Sequence, residues 1–395
     1  MRDDQHQSLG YGSSTAVDPA TAAQESVRAA LSGRTPTPAD LIIVFSTIEY
    51  DQHHFYEAVV QAAGAAQVVG CTAYSSFTAA TYVTRGASAV YLPAAGLTFG
   101  VAAADSISGD IYAAARRATE LACERAGGDG ENSVLMVFSD GLAGDQREVV
   151  RGTYAVTGAT VPLVGGTAAE DVSMTATYQF ADGKLMSNGL VAIWINSPYP
   201  LGISVQHGWH PIGDPMVVTR AENNIIHELD GRRAVDTYLS HRGAALPMDE
   251  LDEAAGQTFA RMTFDHPLGL ANTSGGFDGR HILGRTLEGA LVMFGHVSEQ
   301  SVVQVMAGDR QDLVDAAGRA AADAVGQLTT PPRGALAFSC TGRVAPLGDQ
   351  VHTEAAAIGA GLAGAPFAGF YTYGEFARVT GSTGFHNATV VVLAL

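Results

Sequence analysis

Three stretches of the chain share one pattern of apolar positions. Leu41-Ile42-Ile43-Val44-Phe45-Ser46, Val134-Leu135-Met136-Val137-Phe138-Ser139 and Ala335-Leu336-Ala337-Phe338-Ser339 are unbroken apolar runs that end in Phe-Ser. Runs of this length without alternation predict strands buried on both faces. A segment with helical spacing follows each, at 53–63, 145–157 and 353–362. Each helix leads into a second apolar strand that closes on small residues. These are Val68-Val69-Gly70-Cys71-Thr72, Leu163-Val164-Gly165-Gly166-Thr167 and Phe367-Ala368-Gly369-Phe370-Tyr371-Thr372. The agreement extends to 89–92 against 191–194, and to 97–102 against 201–206. In the third unit the order reads as permuted. Apolar runs at 291–295 and 302–306 precede a long helix at 311–328, as 89–102 precede the helix at 110–126. Repeated strand–helix–strand units predict an α/β fold with mixed sheets. Pairing is expected to be parallel across the helix behind each Phe-Ser strand and antiparallel after it.

Two stretches break the pattern. Residues 221–270 are more polar and read as helices, with helical spacing at 225–233 and 233–241 and a helix start at Pro247-Met248-Asp249-Glu250. Residues 271–284 are rich in Gly, Asn, Ser and Asp, which is turn chemistry.

Composition narrows the function. Forty Asp and Glu stand against 22 Lys and Arg, a formal net charge of −18. Such a chain repels phosphate backbones and anionic lipid, which argues against nucleic-acid and membrane partners. Lys184 is the single lysine. It sits in Asp182-Gly183-Lys184-Leu185, a hairpin sequence and not the Gly-Lys-Ser/Thr of a phosphate-binding loop. Cys71, Cys123 and Cys340 are far apart and form no C-x-x-C, which suits a reducing cytosol. The N-terminus is polar, and no apolar run approaches the ~20 residues of a membrane span. A cytoplasmic protein is expected.

Candidate chemistry gathers at the strand ends. Gly70, Gly165, Gly166 and Gly369, with Thr167 beside them, leave room for a ligand or for close backbone packing. Arg343 offers a fork for a carboxylate, or else a structural ion pair. Period two places Tyr371, Tyr373 and Glu375 on one side of an extended segment. That suits an amine-bearing or planar ligand, or a half-exposed strand face. Cys340 is a nucleophile only if a base lies close; otherwise it is a small buried residue. His207, His296, His352 and His386 lie near apolar strands, where an imidazole serves as a haem ligand or, more often, as a satisfied core group. His227-Glu228 does not continue to H-E-x-x-H, so no zincin site is indicated. Gly359-Ala360-Gly361-Leu362-Ala363-Gly364 matches G-x-G-x-x-G but closes a helix, so it is not a dinucleotide turn.

Several strings resemble the paired FIST domains of bacterial signal proteins. On the N-terminal side these are Val69-Gly70-Cys71-Thr72, Val164-Gly165-Gly166-Thr167 and Gly208-Trp209-His210-Pro211-Ile212-Gly213. Glu228-Leu229-Asp230-Gly231-Arg232-Arg233-Ala234 joins them to Phe338-Ser339-Cys340-Thr341-Gly342-Arg343, Gly369-Phe370-Tyr371-Thr372-Tyr373-Gly374-Glu375 and Phe385-His386-Asn387-Ala388-Thr389. The resemblance implies an N-terminal domain over 1–220, itself duplicated at 41–105 and 134–208. A C-terminal domain over 221–395 would share an extensive interface with it. It also implies a sensory protein that binds a small molecule such as an amino acid and signals to a separate histidine kinase or regulator. One branch of the family resembles haem proteins that sense nitric oxide. The chain departs from the family at Gly70-Cys71-Thr72-Ala73-Tyr74-Ser75-Ser76, where members often carry Gly-Cys-Ser/Thr-x-Gly-Glu. The expected ligand set is Arg343 for a carboxylate and Tyr371 and Glu375 for an amine or ring, with His386, Cys340, Gly166 and Thr167 nearby. The alternatives are haem held by His207, His296, His352 or His386, and an enzyme using Cys340.

Overall fold

The computed structural model describes residues 8–243, 257–272, 275–379 and 384–395. One structural unit occurs three times. The first comprises β1 (Gly10–Ser14), the helix Pro19–Leu31, β2 (Leu41–Ser46), the helix Gln52–Ala63, β3 (Gln67–Thr72), the hairpin β4 (Ser76–Thr78) and β5 (Tyr82–Val83), and β6 (Ala87–Leu92). The second repeats this order as β7 (Thr98–Ala104), the helix Ile111–Arg125, β8 (Asn132–Asp140), the helix Arg147–Thr157, β9 (Leu163–Ala168), the hairpin β10 (Tyr178–Ala181) and β11 (Lys184–Ser187), and β12 (Leu190–Ser197). The third starts at β13 (Gly202–Gln206). After an insertion it resumes with the helix Arg310–Val325, β22 (Ala335–Cys340), the helix His352–Gly361, β23 (Phe367–Thr372), the hairpin β24 (Glu375–Arg378) and β25 (Gly384–His386), and β26 (Val390–Ala394).

The insertion folds separately. Its strands are β14 (His210–Glu222), β15 (Ile225–Leu229), β16 (Arg232–Arg233), β17 (Leu268–Ala271), β18 (Phe277–Arg280), β19 (Ile282–Arg285), β20 (Leu291–Met293) and β21 (Val302–Ala307). They form a fourth sheet over a core of their own that includes Met216, Ile226, Tyr238, Leu291 and Val303. The third unit is therefore interrupted, not permuted. The runs at 291–295 and 302–306 belong to the inserted sheet, and β13 takes the place of β7. Residues 225–233 are strand and turn instead of helix, while Ala234–His241 is helical as expected. The helix start expected at Pro247 lies outside the described residues.

Each unit sheet has the same order, and each borrows its last hairpin from a neighbour. The orders are β1-β6-β2-β3-β10-β11, β7-β12-β8-β9-β24-β25 and β13-β26-β22-β23-β4-β5. The first unit takes the hairpin of the second, the second that of the third, and the third that of the first. The pairs β2–β3, β8–β9 and β22–β23 are parallel, and the remaining pairs are antiparallel. The sheets are mixed, as the pattern predicts. The residue-220 boundary falls inside β14, and the sheets run across it.

Alternation along the strands explains the closed arrangement. Leu41, Ile43 and Phe45 point into one core with Val134, Met136, Phe138, Leu336 and Phe338. Ile42 and Val44 point the other way, onto the helices Pro19–Leu31 and Gln52–Ala63. Leu135 and Val137 do the same in the second unit, Ala335 and Ala337 in the third. Three sheets thus surround a shared apolar centre and carry their helices outside. Phe138 lies 5.8 Å from Phe45, 6.2 Å from Phe338 and 6.0 Å from Phe370, ring centre to ring centre. Part of the acidic excess serves locally, because Asp18, Asp51, Asp110 and Asp309 cap helix N-termini. Such a cap contributes about 1 kcal/mol.

The serine of each Phe-Ser strand has one recurrent partner. Ser46 Oγ donates to Gln52 Oε1 (2.8 Å), Ser139 Oγ to Gln146 Oε1 (2.6 Å) and Ser339 Oγ to Glu354 Oε2 (2.9 Å). The two glutamines donate onward to loop carbonyls, Gln52 Nε2 to Thr47 O and Gln146 Nε2 to Asp140 O, both at 2.9 Å. Glu354 has no such donor. Arg343 supplies it by donating to Glu354 Oε1 from Nε (2.8 Å) and Nη2 (2.6 Å), and to the carbonyls of His207 (2.7 Å) and Leu313 (2.8 Å).

Candidate ligand-binding cleft

A cleft of about 410 Å³ lies where the end of β8 meets the inserted sheet. That volume is in the range of small-molecule sites, and the carboxyl end of a parallel strand is where open α/β sheets place them. The loop after β8 forms one wall. Asp140 is buried, and its two carboxylate oxygens accept from the backbone N–H groups of Leu142 and Asn188, both at 2.7 Å. This sets the turn that brings Gly141, Leu142 and Gln146 to the cleft. A Cβ at position 141 would lie 2.6 Å from Ala168 O, so the turn requires glycine there.

The inserted sheet forms the opposite wall. Asn223 and Asn224 make the tight β14–β15 turn, with Asn223 at φ +54°. Asn224 Nδ2 donates to Met293 O (2.9 Å), and Met293 N donates back to Asn224 O (2.8 Å). This holds Met293, Phe294 and His296 against the opening. A third wall comes from the loop after β9. Glu170 is fully buried and accepts from Met174 N (2.8 Å), Ser173 N (3.1 Å), Ser173 Oγ and Tyr373 Oη. Tyr373 Oη in turn accepts from Val172 N (3.1 Å), and in the loop so fixed Val172 and Met174 stand at φ +69° and +57°. Non-glycine residues in this region cost about 1–3 kcal/mol each and concentrate at functional sites. Met174 lines the cleft.

The electrostatics are local. Asp145 grips Arg147 at 2.6 Å. Burial, with the positive charges of Arg147 and Arg280 nearby, holds His296 below the usual imidazole range, so it is neutral at pH 7. Beneath the cleft, Asn387 Oδ1 and Arg280 Nε are buried without a hydrogen-bond partner.

The residues expected from sequence lie elsewhere or face inward. Arg343 and Glu354 are both 0 % exposed and paired, so the Arg343 fork is already taken. Tyr371, Tyr373 and Glu375 do not share a face, because the chain leaves the third sheet after Thr372 and enters the second at Glu375. Their polar atoms reach Glu354, Glu170 and Thr389 respectively. The glycines answer to backbone: a Cβ on Gly70, Gly165 or Gly369 would lie 2.0–2.2 Å from the carbonyl oxygen of Val44, Val137 or Ala337 on the adjoining strand. Gly166 packs on Thr372, whose Oγ1 donates to Thr167 O (2.7 Å). Cys340 is buried beside Glu375, and desolvation pushes its thiol well above the usual value, the reverse of what a nucleophile needs.

Glu375 makes a pH prediction. Its Oε2 accepts from Thr389 N (3.2 Å) and Oγ1 (2.8 Å), yet burial pushes its pKa up to about 8 from 4.5. The folded state holds the proton more tightly than the unfolded state, so stability falls as pH rises between 4.5 and 8. Half-buried His207 and buried His281 are depressed to about 4 and act oppositely, losing stability as pH falls through 6.5. From pH 6.5 to 8 the histidine effect fades as the unfolded-state imidazoles lose their last protons, while Glu375 contributes a falling slope of up to about 1.4 kcal/mol per pH unit. Across that window the melting temperature of the wild type should fall relative to that of Glu375→Gln. A drop of equal size in both would contradict the assignment.

The four candidate haem ligands do not offer a haem site. His386 is buried with Nε2 3.0 Å from Ala377 O, and His207 Nδ1 accepts from Trp209 N (2.9 Å). His352 is exposed at the start of its helix. His296 does reach the cleft, but Gln146, Asn223, Asn224 and Asp145 share that lining, in place of the apolar slot a haem requires. Among the described residues, no group of three or more His, Cys, Asp or Glu is placed to hold a metal ion. No described helix is long and apolar enough to cross a membrane.

The FIST N domain matches residues 40–232 and the FIST C domain matches residues 234–378. The chain belongs to the FIST domain family. Its relatives include an uncharacterized protein of Mycobacterium tuberculosis, 30% identical over 232 residues, covering 58% of this chain and 59% of that protein. An uncharacterized protein of Methanocaldococcus jannaschii is 30% identical over 154 residues, 38% of this chain and 30% of that one. The chain thus spans less than two thirds of the length of these relatives. A solved cyanuric acid hydrolase from A. caulinodans is similar over 50% of this chain and 71% of its own, at a TM-score of 0.29 and 10% identity. That likeness is too slight to carry an argument.

Proposed function

We propose that this FIST protein is a cytoplasmic small-molecule sensor whose ligand binds in the cleft between the second unit and the inserted sheet. The observation that carries the reading is the construction of the cleft. Apolar side chains (Leu142, Met174, Phe294, Phe385) and amides (Gln146, Asn223) converge on one opening from separately packed parts of the chain. A ligand that touches both parts fixes one against the other. That bound state is what a separate histidine kinase or regulator reads. The three cysteines are free, which suits a reducing compartment.

The test is a thermal-shift screen of amino acids and other small metabolites. At least one compound should raise the melting temperature saturably in the wild type. Phe294 is half-buried at the cleft wall, so Phe294→Arg should fold, fill the opening and abolish the shift. The reading fails if no compound shifts the wild type, or if Phe294→Arg keeps the response.

A further inference from the structure

The geometry points to Arg280 as an oxyanion-recognition residue, so that the ligand carries a carboxylate or phosphate group placed against its guanidinium; this rests on the cleft reading above. Arg280 ends β18 and is only 5 % exposed. Nη1 donates to the adjacent Gly279 O (2.8 Å), and Nε has no partner. Among the described residues Arg280 belongs to no ion pair. That is unexpected for a chain with such an excess of acid, because a charge taken out of water is normally paired. Arg147 and Arg151, which line a cavity of about 340 Å³ with Arg280, are each held by a carboxylate, Asp145 at 2.6 Å and Glu148 at 2.7 Å.

The cavity adjoins the cleft, and Phe385 lines both. Gly295, a cleft residue, lies against the Arg280 side chain, where a Cβ would make ordinary contact with Cδ and Nε, each at 3.7 Å. Burial lowers the Arg280 pKa, and the nearby Asp278 and Asp145 do not restore it. A planar fork with an unused donor, buried in the wall of a cavity beside the cleft, matches a carboxylate or a phosphate. In the sequence Gly276-Phe277-Asp278-Gly279-Arg280-His281 reads as turn chemistry, which gives Arg280 no distinguishing mark.

The experiment titrates sodium acetate and sodium phosphate, against sodium chloride at equal ionic strength, into wild type and Arg280→Gln. Melting temperature and calorimetry are the readouts. Saturable binding of either oxyanion to the wild type is expected, weakened about 10- to 100-fold in Arg280→Gln, as for the loss of a charged hydrogen bond. In chloride the variant should melt no lower than the wild type, since no ion pair is lost. A response to acetate alone assigns a carboxylate, and one to phosphate alone assigns a phosphate. Arg280→Lys keeps charge and stem but loses the fork, so it should also bind at least tenfold more weakly and serves if the glutamine variant unfolds. The inference is overturned if neither oxyanion binds saturably, or if both variants bind as the wild type does. Phe294→Arg separates the two readings. If it abolishes metabolite binding while Arg280→Gln leaves the oxyanion response intact, the cleft stands and the Arg280 assignment falls.

Discussion

Glu354→Ala should lower folding stability by about 3–5 kcal/mol, the range for breaking a buried ion pair from one side. Glu354 is fully buried and accepts from Ser339, Tyr371 and Arg343. Its removal strands the Arg343 guanidinium with only two carbonyls to receive its protons. The first two units do the same task with a neutral glutamine, which sets up a second comparison. Removing both charges, as in the double variant Arg343→Met with Glu354→Gln, should cost much less than the sum of the single changes, because neither charge is left alone. Urea denaturation of Glu354→Ala and of the four proteins of the cycle (wild type, Arg343→Met, Glu354→Gln and the double variant) measures this. A Glu354→Ala loss below about 1 kcal/mol, or additivity across the cycle, would be incompatible with the pair's proposed role.

Phe138→Ala should cost about 3–5 kcal/mol, as for other truncations of a buried aromatic residue. Its ring meets Phe45 of the first unit and Phe338 and Phe370 of the third. The cavity would therefore open where all three sheets converge. Because each sheet also borrows a hairpin from its neighbour, the three units should lose stability together. Circular dichroism and tryptophan fluorescence should report one shifted transition. Separate transitions, or a shift equivalent to less than about 1 kcal/mol, would show that the centre does not join the units.

Much of this fold is legible in the chain because its strands are short, uninterrupted and repeated. The Phe-Ser runs, their helices and the parallel pairs behind them follow from apolar pattern alone. The insertion is not legible in the sequence, for two physical reasons. Its strands at 291–293 and 302–307 are as apolar as those of the units, so periodicity cannot tell which sheet they join. Ile225, Ile226 and Leu229 fit helical and extended spacing equally. The signals that decide are the turns on either side, Asn223-Asn224 and Asp230-Gly231, where Asn223, Asp230 and Gly231 have positive φ.

The site was harder to read. Arg343 stands at a strand end as a ligand-binding arginine would, and its partner Glu354 comes from the next helix. The clue was Gln52 and Gln146 behind the other two Phe-Ser strands, with an acid in the third. Tyr371, Tyr373 and Glu375 obey period two only while the strand stays in one sheet, and this one changes sheets between Thr372 and Glu375. The cleft itself depends on how the insertion packs over β8. No local pattern records that placement.

Native mass spectrometry of the wild-type protein and Phe294→Arg, each purified gently from bacterial cells, tests the cleft most directly. The account predicts a small-molecule adduct on the wild type that is absent from Phe294→Arg. An adduct of haem mass, or one retained equally by the variant, would contradict it.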